Sequence, residues 1–363
     1  MATRDAAHRT GAITFFGFGL VVAAVLFTSR AAQTGTGIPG VGGIYALMDQ
    51  GSIPSAALSN SNVDGIKVRW WWDQVEPIEG SFIWSGIDAE VAQAKAAGKK
   101  ISISFTGSFR TPAWVYSDGA QSFPFIFDQS WGPGYCVAAK TPIPWDAVYL
   151  AKWGAFIAAA GSHFGSDFAY VNASGINYTT GEIMLPHNVG EQPINGGQCY
   201  SLNDTANWQA VSYTRTKVEA AWRQMQKAFA NAFPASLAGG QWLSTGFPPL
   251  DSYGNKIAGA SVDTQCPIDL VNYGIAYFPN NLAQSNALTT TRAGWPYINN
   301  VATQTVTGYQ MARAWNNASG LLTAGNLGIN AGARFLEIYL SDINNPKEQS
   351  VLATLHASIA AKQ

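Results

Sequence analysis

The chain has 363 residues, of which 47% are hydrophobic and only 12% are charged, and its formal net charge is −1. The two signs of charge nearly balance and no basic stripe is present, so we expect no nucleic-acid partner. The length suits one large domain, because a (β/α)8 barrel of about 250 residues or more routinely forms a single unit.

Residues 1–32 have the pattern of a targeting segment. Arg4 and Arg9 precede the uncharged stretch GAITFFGFGLVVAAVLF, residues 11–27, and small residues follow it. This order is typical of a secretory signal peptide, while an uncleaved membrane anchor stays open as the alternative. Both alternatives predict a secreted or cell-envelope protein that meets a membrane only through this segment. The Gly- and Thr-rich residues 33–41 are predicted to be a linker.

The remaining chain, residues 42–363, alternates short apolar runs with longer segments of helical periodicity. The predicted strands are residues 42–49, 63–72, 100–107, 168–177, 237–245, 281–288, 305–311 and 333–342. The predicted helices are residues 85–100, 145–165, 212–233 and 346–361. Strands that alternate with helices indicate parallel pairing, and no Gly-rich phosphate fingerprint follows the first strand. We therefore predict an α/β fold of the (β/α)8 TIM-barrel type. Residues 246–281 leave room for a further strand, so the last strand is counted either seventh or eighth.

Three long loops follow predicted strands, at residues 108–144, 178–211 and 246–267. In a parallel barrel these loops build the C-terminal face, where active sites lie. Cys136 and Cys199 fall in two adjacent loops, so a disulfide between them is predicted, with Cys199–Cys266 as the alternative pairing.

Two stretches resemble known glycoside hydrolases. Residues 69–115, which begin RWWWDQVEPIEGSFIW and end TPAWV, resemble the second and third βα units of clan-A-type enzymes such as family 42 β-galactosidases and β-amylases. GINYTTGEIMLP, residues 175–186, resembles the segment of β-amylases in which the acid/base Glu follows the fourth strand. The usual Asn-Glu pair is absent. The resemblance implies an exported glycosidase of carbohydrate metabolism with Glu182 as its acid.

Glycoside cleavage needs a protonated carboxylic acid near the leaving oxygen and a second carboxylate across the sugar ring. Glu182 stands beside the apolar Ile183, which should raise the pKa of its carboxyl. In RFLEIYLSD the alternation places Glu337 inside the barrel, where an unpaired charge is costly. Glu337 is therefore either paired with an arginine such as Arg69 or serves as nucleophile or base. Asp342 and Glu191 are the alternative candidates for the second carboxylate.

The strand number of Glu337 bears on the mechanism. In clan-A enzymes the nucleophile ends the seventh strand, and if Glu337 lies on the eighth strand, the seventh ends at Gln310, which cannot act as a nucleophile. This leaves a non-catalytic glycan-binding barrel as the alternative function. A third alternative is a scaffold in an envelope assembly, which predicts no open cleft at the strand ends.

Candidate carbohydrate-binding residues lie at or after the predicted strand ends. They are Asp49, Trp72, Asp73, Arg110, Trp114, Asn177, Tyr178, Trp242, Trp295, Gln310 and Tyr339. Tryptophan rings stack on the apolar faces of sugars, which gives a reason for the unusual total of 13 Trp. The 4 His of the chain form no metal-ligand spacing, so we expect neither a metal nor another cofactor.

Overall fold

The computed structural model describes residues 40–362. The predicted signal peptide or anchor and most of the predicted linker lie outside these residues. The strands are β1 Gly43–Leu47, β2 Gly65–Trp71, β3 Lys100–Thr106, β4 Ser122–Ile126, β5 Ala138–Pro142, β6 Tyr170–Asn172, β7 Glu182–Ile183, β8 Pro193–Ile194, β9 Cys199–Tyr200, β10 Leu237–Gly239, β11 Gln241–Trp242, β12 Leu282–Leu288, β13 Val306–Met311 and β14 Phe335–Tyr339.

The α-helices are α1 Ser55–Ser59, α2 Trp72–Val75, α3 Ser85–Ala96, α4 Ala113–Ser117, α5 Ala147–Phe164, α6 Asp204–Ala210, α7 Arg215–Ala232, α8 Gln265–Tyr277, α9 Pro296–Asn300, α10 Ala318–Asn330, α11 Leu340–Ile343 and α12 Gln349–Ala360. Short 3-10 helices cover Ser108–Arg110, Asn195–Gly197 and Pro346–Glu348. None of the helices within residues 40–362 combines the length and the apolar character that a membrane crossing needs.

Ten strands form one parallel sheet in the order β10-β6-β3-β2-β1-β14-β13-β12-β11-β7. The sheet closes on itself because β10 and β11 are two parts of one strand, interrupted at Gly240. Ala238 in β10 bridges Asn281 in parallel, and Gln241 in β11 pairs with Gln284 of β12. The result is a closed barrel of eight strands, which confirms the predicted (β/α)8 fold.

Each of the eight predicted strands coincides with a barrel strand. Residues 246–281 hold the helix α8 and no named strand, so β14 is the eighth barrel strand. The short strand β7 was not predicted. It follows the fourth barrel strand, β6, after a nine-residue excursion and pairs with β11, where Gln241 lies opposite Glu182. It therefore extends the line of the fourth strand at the C-terminal end of the barrel.

Successive side chains along each strand point alternately outward and inward. The outward side chains are apolar, and the inward ones form an apolar layer and a polar layer. Outward side chains such as Ile66, Val68 and Leu336 belong to the main core, packed beneath the helices. At the N-terminal end, the barrel interior is filled by a separate apolar cluster of Val41, Tyr45, Tyr170, Leu237, Leu282 and Phe335. Between this apolar cluster and the C-terminal end of the barrel, the inward residues are polar. The hydrophilic part of the interior therefore lies at the end that carries the long loops.

Barrel closure depends on a close backbone approach at Gly239. A Cβ atom at this position would stand 1.8 Å from the carbonyl oxygen of Leu282 on the neighbouring strand. We expect Gly239→Ala to lower the free energy of unfolding by about 1–3 kcal/mol, because the strand cannot move without breaking the ladder. Gly154→Ala in α5 is the matched control, since a Cβ there meets nothing within 4 Å. Denaturant midpoints measure both, and equal midpoints for wild type and Gly239→Ala would contradict the prediction.

The loops after β3 and β6 form two small antiparallel hairpins, β4–β5 and β8–β9. Cys136 and Cys199 join these loops in a disulfide with a Cα–Cα distance of 5.7 Å, as predicted. Cys266 is a buried free thiol on α8, so the alternative Cys199–Cys266 pairing is wrong. The disulfide ties the loop that follows the third barrel strand to the loop that carries Glu182.

Candidate active site

Glu337 lies at mid-height inside the barrel, in a buried polar layer. Its side chain is fully buried, and its Oε1 accepts a hydrogen bond of 2.6 Å from the hydroxyl of Tyr170. The ammonium of Lys67 on β2 stands 4.0 Å from the same oxygen. Lys67 also donates to Asn172, which accepts from Ser104 as well. The partner of Glu337 is thus Lys67 rather than the arginine that the sequence suggested.

Burial also acts on Lys67 itself. Removal from water lowers the pKa of Lys67 to about 7, while the charge of Glu337 opposes this shift and the charge of Arg69 adds to it. Lys67 therefore loses its proton at a lower pH than an exposed lysine does. Desolvation is the larger effect because the side chain of Lys67 is only 1% exposed.

Glu182 lies one layer higher, toward the loops. Its side chain is 6% exposed, and its Oε1 accepts a hydrogen bond from Asn286. Asn286 in turn accepts from Gln310 (3.1 Å), and Gln310 accepts from Gln241 (2.6 Å). This run of amides sets the orientation of Asn286, so that its NH2 group points at Glu182. The second oxygen, Oε2, has no hydrogen-bond partner among residues 40–362.

A β-bulge aims Asn286 at Glu182. The register between β12 and β13 shifts between Ser285 and Leu288, and Ala287 has a φ of 64°. A non-glycine residue in this left-handed region carries strain, and such strain with a bulge is found beside functional sites, where it redirects a side chain. Here the redirected side chain is the one that holds the carboxyl of Glu182.

The two carboxyl groups lie within electrostatic reach of each other and of Arg69. Burial raises the pKa of Glu182, the positive charge of Arg69 opposes this shift, and the negative charge of Glu337 adds to it. The predicted direction of the pKa shift at Glu182 is thus present, with desolvation as its main cause. Tyr339 belongs to the same group, because burial raises the pKa of its hydroxyl and the charges of Arg69 and both carboxylates act on it.

Two cation–carboxylate pairs stand at the rim of the barrel. Arg69 Nε lies 2.9 Å from Asp49 Oδ1, and the side chain of Asp49 is 64% exposed. Arg110 Nε lies 3.4 Å from Asp73 Oδ2. The guanidinium of Arg110 covers the ring of Trp71 at 4.0 Å. The predicted residues Asp49, Asp73 and Arg110 therefore all stand near the mouth.

Two predicted sugar-binding tryptophans are core residues. Trp72 is fully buried on α2, donates to Glu76 (2.7 Å) and packs edge-on against Trp153. Trp242 is 1% exposed and packs against Trp222 of α7. The prediction was wrong for both, because at each position the residue faces the helices rather than the barrel interior. Among the three consecutive tryptophans, Trp71 is the one at the mouth.

Four further predicted residues are buried or half-buried. Asn177 is buried and closes a turn by donating to the carbonyl of Thr180 (2.6 Å). Tyr178 is buried against Phe125. Asp342, a reserve candidate, is fully buried, and its carboxylate accepts from the backbone N–H groups of residues 315 and 316. Trp114 packs on the buried Trp72 beneath the helices. Asn177, Asp342 and Trp114 make their hydrogen bonds and ring contacts away from the two carboxylates, which corrects their predicted roles. Tyr178 stays a candidate, because the charge of Glu182 acts on its hydroxyl.

The remaining candidates are Trp295, Gln310 and Glu191. Trp295 is half-buried and stacks on Tyr297 at 5.2 Å. Gln310, a predicted carbohydrate-binding residue, donates to Asn286, which holds Glu182. Glu191 is exposed on the loop after β7. Within residues 40–362, no group of three or more His, Cys, Asp or Glu side chains is arranged to hold a metal ion.

The sequence reasoning missed Lys67, Tyr170, Asn172, Gln241 and Asn286. A signal for four of them was present, since they alternate with aliphatic residues along predicted strands, as Glu337 does. The alternation rule that placed Glu337 inward would have placed Lys67 and Asn172 inward too. Asn286 gave no such signal, because the bulge that aims it is a tertiary feature.

Buried carboxyl groups that support the loops should make stability depend on pH. Burial raises the pKa of Glu90 to about 7, although hydrogen bonds from Trp70 and Gly51 oppose the shift, and burial raises the pKa of Asp204 to about 6. Because the folded state then holds more protons than the unfolded state, stability is highest below the unfolded pKa values and falls as pH rises toward 7. We expect a lower melting temperature at about pH 7.5 than at about pH 5.

Glu90→Gln provides the check on this prediction, because the amide carries no proton to lose. Its melting temperature should change less between these two pH values than that of the wild type, whatever its absolute value. An equal or steeper pH slope in Glu90→Gln would contradict the assignment.

The structure was compared with known proteins. The catalytic domain of β-amylase from Paenibacillus polymyxa has a similar fold, with a TM-score of 0.58 and 12% sequence identity over 88% of this chain and 98% of that chain. The exo-β-1,4-mannosidase Op5Man5 from Opitutaceae bacterium strain TAV5 aligns with a TM-score of 0.47 and 11% identity over 88% of this chain and 60% of that chain. No family model and no curated protein matches the sequence. The predicted resemblance is therefore confirmed for the fold: the chain has a (β/α)8 barrel similar to that of the β-amylase catalytic domain.

Proposed function

We propose that the protein is an exported glycoside hydrolase that cleaves O-glycosidic bonds of an oligo- or polysaccharide. Glu182 would donate a proton to the leaving oxygen, and Glu337 would act as nucleophile or as the base for a water molecule. The observation that carries the proposal is the state of Glu182: a carboxyl of raised pKa at the C-terminal end of the barrel, with one oxygen held by Asn286 and the other unpartnered in the described chain.

The arrangement supplies what glycoside cleavage needs. A proton on the free oxygen of Glu182 passes to the glycosidic oxygen while the bond from that oxygen to the anomeric carbon breaks. Positive charge would then develop on the sugar ring, and Glu337 is the second carboxylate, whose charge acts on Glu182. The hydroxyl of Tyr170 and the ammonium of Lys67 hold one oxygen of Glu337, which leaves its other oxygen for the sugar or a water molecule.

Export is supported by two features. The order of charged, apolar and small residues in residues 1–32 fits a signal peptide or an anchor. The disulfide between Cys136 and Cys199 fits an oxidising compartment outside the cytoplasm.

One observation favours a second candidate, a glycan-binding barrel without catalysis. Glu337 is fully buried and paired with Lys67, and the seventh barrel strand offers Gln310 in place of a carboxylate. If ligand binding does not expose Glu337, Glu182 has no partner for a two-carboxylate reaction, and the mouth would bind a glycan without cleaving it.

A screen of the purified protein against aryl glycosides and polysaccharides tests the proposal. We expect hydrolysis of at least one β- or α-linked glycan, with the anomeric form of the first product, observed by NMR, distinguishing retention from inversion. Binding of a glycan in the panel with no hydrolysis at any pH between about 4 and 8 would favour the binding function and overturn the hydrolase proposal.

A further inference from the structure

A line of aromatic rings leads outward from the mouth of the barrel. Trp71 ends β2, Phe109 follows β3, and Trp131 lies in the loop between the strands of the β4–β5 hairpin. The ring centroids of Trp71 and Phe109 are 6.2 Å apart, and those of Phe109 and Trp131 are 6.4 Å apart. Trp71 and Phe109 are half-buried, and Trp131 is 38% exposed. These three residues are called the aromatic strip below.

The exposed end of the strip is firmly supported. Trp131 packs edge-on at 5.2 Å against Phe127, which is fully buried. The backbone of Gly132 lies against the same ring, so that a Cβ there would be 3.2 Å from Phe127. Two residues beyond Gly134, Cys136 fixes the loop through its disulfide. A single exposed ring is ordinary, but a contiguous run of exposed rings marks a binding surface, and Trp131 is continuous with Phe109 and Trp71.

Polar groups accompany the rings. The guanidinium of Arg110 lies over Trp71, beside the carboxylate of Asp73. Asp73 Oδ1 and Arg110 Nε are buried atoms with no hydrogen-bond partner in the described chain. Sugars present apolar C–H faces and hydroxyl edges. Aromatic rings beside the Asp73–Arg110 ion pair, in which Asp73 Oδ1 accepts no hydrogen bond from the described chain, match both parts of a sugar unit.

The strip is continuous with the candidate active site. Trp71 and Arg69 are two residues apart on β2 and so share its inner face, and the charge of Arg69 acts on Glu182 and Glu337. A glycan cut at Glu182 would therefore extend over Trp71 toward Trp131.

We propose that the aromatic strip binds further sugar units of the substrate, so that the preferred substrate is a glycan chain of at least three units rather than a disaccharide. The proposal rests on the proposed function for the place of cleavage, but the strip itself would bind a chain in a non-catalytic barrel as well. Trp131 has the outermost ring and contributes to binding of long chains alone.

The test measures binding separately from cleavage. Gluco-, manno- and galacto-oligosaccharides of two and six units are titrated into Glu182→Gln protein by calorimetry, alone and with Trp131→Ala. We expect at least one six-unit chain to bind more tightly than its disaccharide, and Trp131→Ala to weaken its binding about 3–30-fold while leaving disaccharide binding within about twofold. Trp131→Phe should retain most of the affinity. Tyr277→Ala removes a 68% exposed ring at the end of α8 and should change nothing.

The outcomes separate the two proposals. If binding depends on chain length and on Trp131 but the wild type hydrolyses nothing, the proposal for the aromatic strip is supported and the hydrolase proposal is overturned. Two results would overturn the proposal for the aromatic strip and leave the hydrolase proposal standing. One is hydrolysis of aryl glycosides with no preference for binding six-unit chains; the other is an equal loss of affinity for six-unit chains and disaccharides in Trp131→Ala.

Discussion

Glu182→Gln is expected to slow hydrolysis of an unactivated glycan by about 10²- to 10⁴-fold, because the amide cannot donate the proton that the leaving oxygen needs. The variant keeps Oε1 as the acceptor for Asn286, so its fold should be retained. An aryl glycoside with a strongly acidic phenol as its leaving group needs little protonation. The rate with that substrate should therefore fall much less.

The pH profile gives an independent sign of the same role. Because burial raises the pKa of Glu182, the wild-type rate should persist above the pH at which an exposed glutamate would be ionised and then fall as pH rises. This alkaline fall should disappear in Glu182→Gln. Glu219→Gln on α7 is the matched control, since Glu219 pairs with Arg223 on the outside of the barrel. A rate for Glu182→Gln within about tenfold of wild type on the unactivated glycan would exclude Glu182 as the acid.

Lys67→Met is expected to lower the free energy of unfolding by about 3–5 kcal/mol at about pH 6, where Lys67 is mostly protonated. The change leaves the fully buried carboxylate of Glu337 without its cation and removes one of the two donors to Asn172, whose oxygen still accepts from Ser104. Denaturant unfolding followed by fluorescence measures the loss. The rim pair provides the contrast: Asp49→Asn should cost only about 0–1 kcal/mol, because Asp49 is largely in water.

A double variant isolates the ion pair. Lys67→Met combined with Glu337→Gln removes both charges and should recover most of the stability lost in Lys67→Met, since the penalty comes from a buried charge without a partner. A double variant as unstable as Lys67→Met alone would show that the loss comes from packing and not from charge.

The barrel itself was determined by local patterns in the sequence. Alternating aliphatic residues between amphipathic helices placed all eight strands, since each pattern reports which side of one element faces the core. The same rule placed Glu337 inward and would have placed Lys67 and Asn172 inward. The position of the disulfide also followed from loop order along the chain. These features depend on neighbours in sequence, so the sequence alone carries them.

What only the tertiary structure decided is which inward and loop residues meet. Trp72 and Trp242 are chemically suited to sugars, yet both pack against helices, because their neighbours Trp71 and Gln241 take the inward positions. Lys67, and not Arg69, neutralises Glu337, because partner choice depends on height inside the barrel. The strained bulge at Ala287 that brings Asn286 to Glu182 leaves no mark on the hydrophobic pattern. Such contacts join residues more than 100 positions apart, and their geometry is set by barrel closure, which no local pattern encodes.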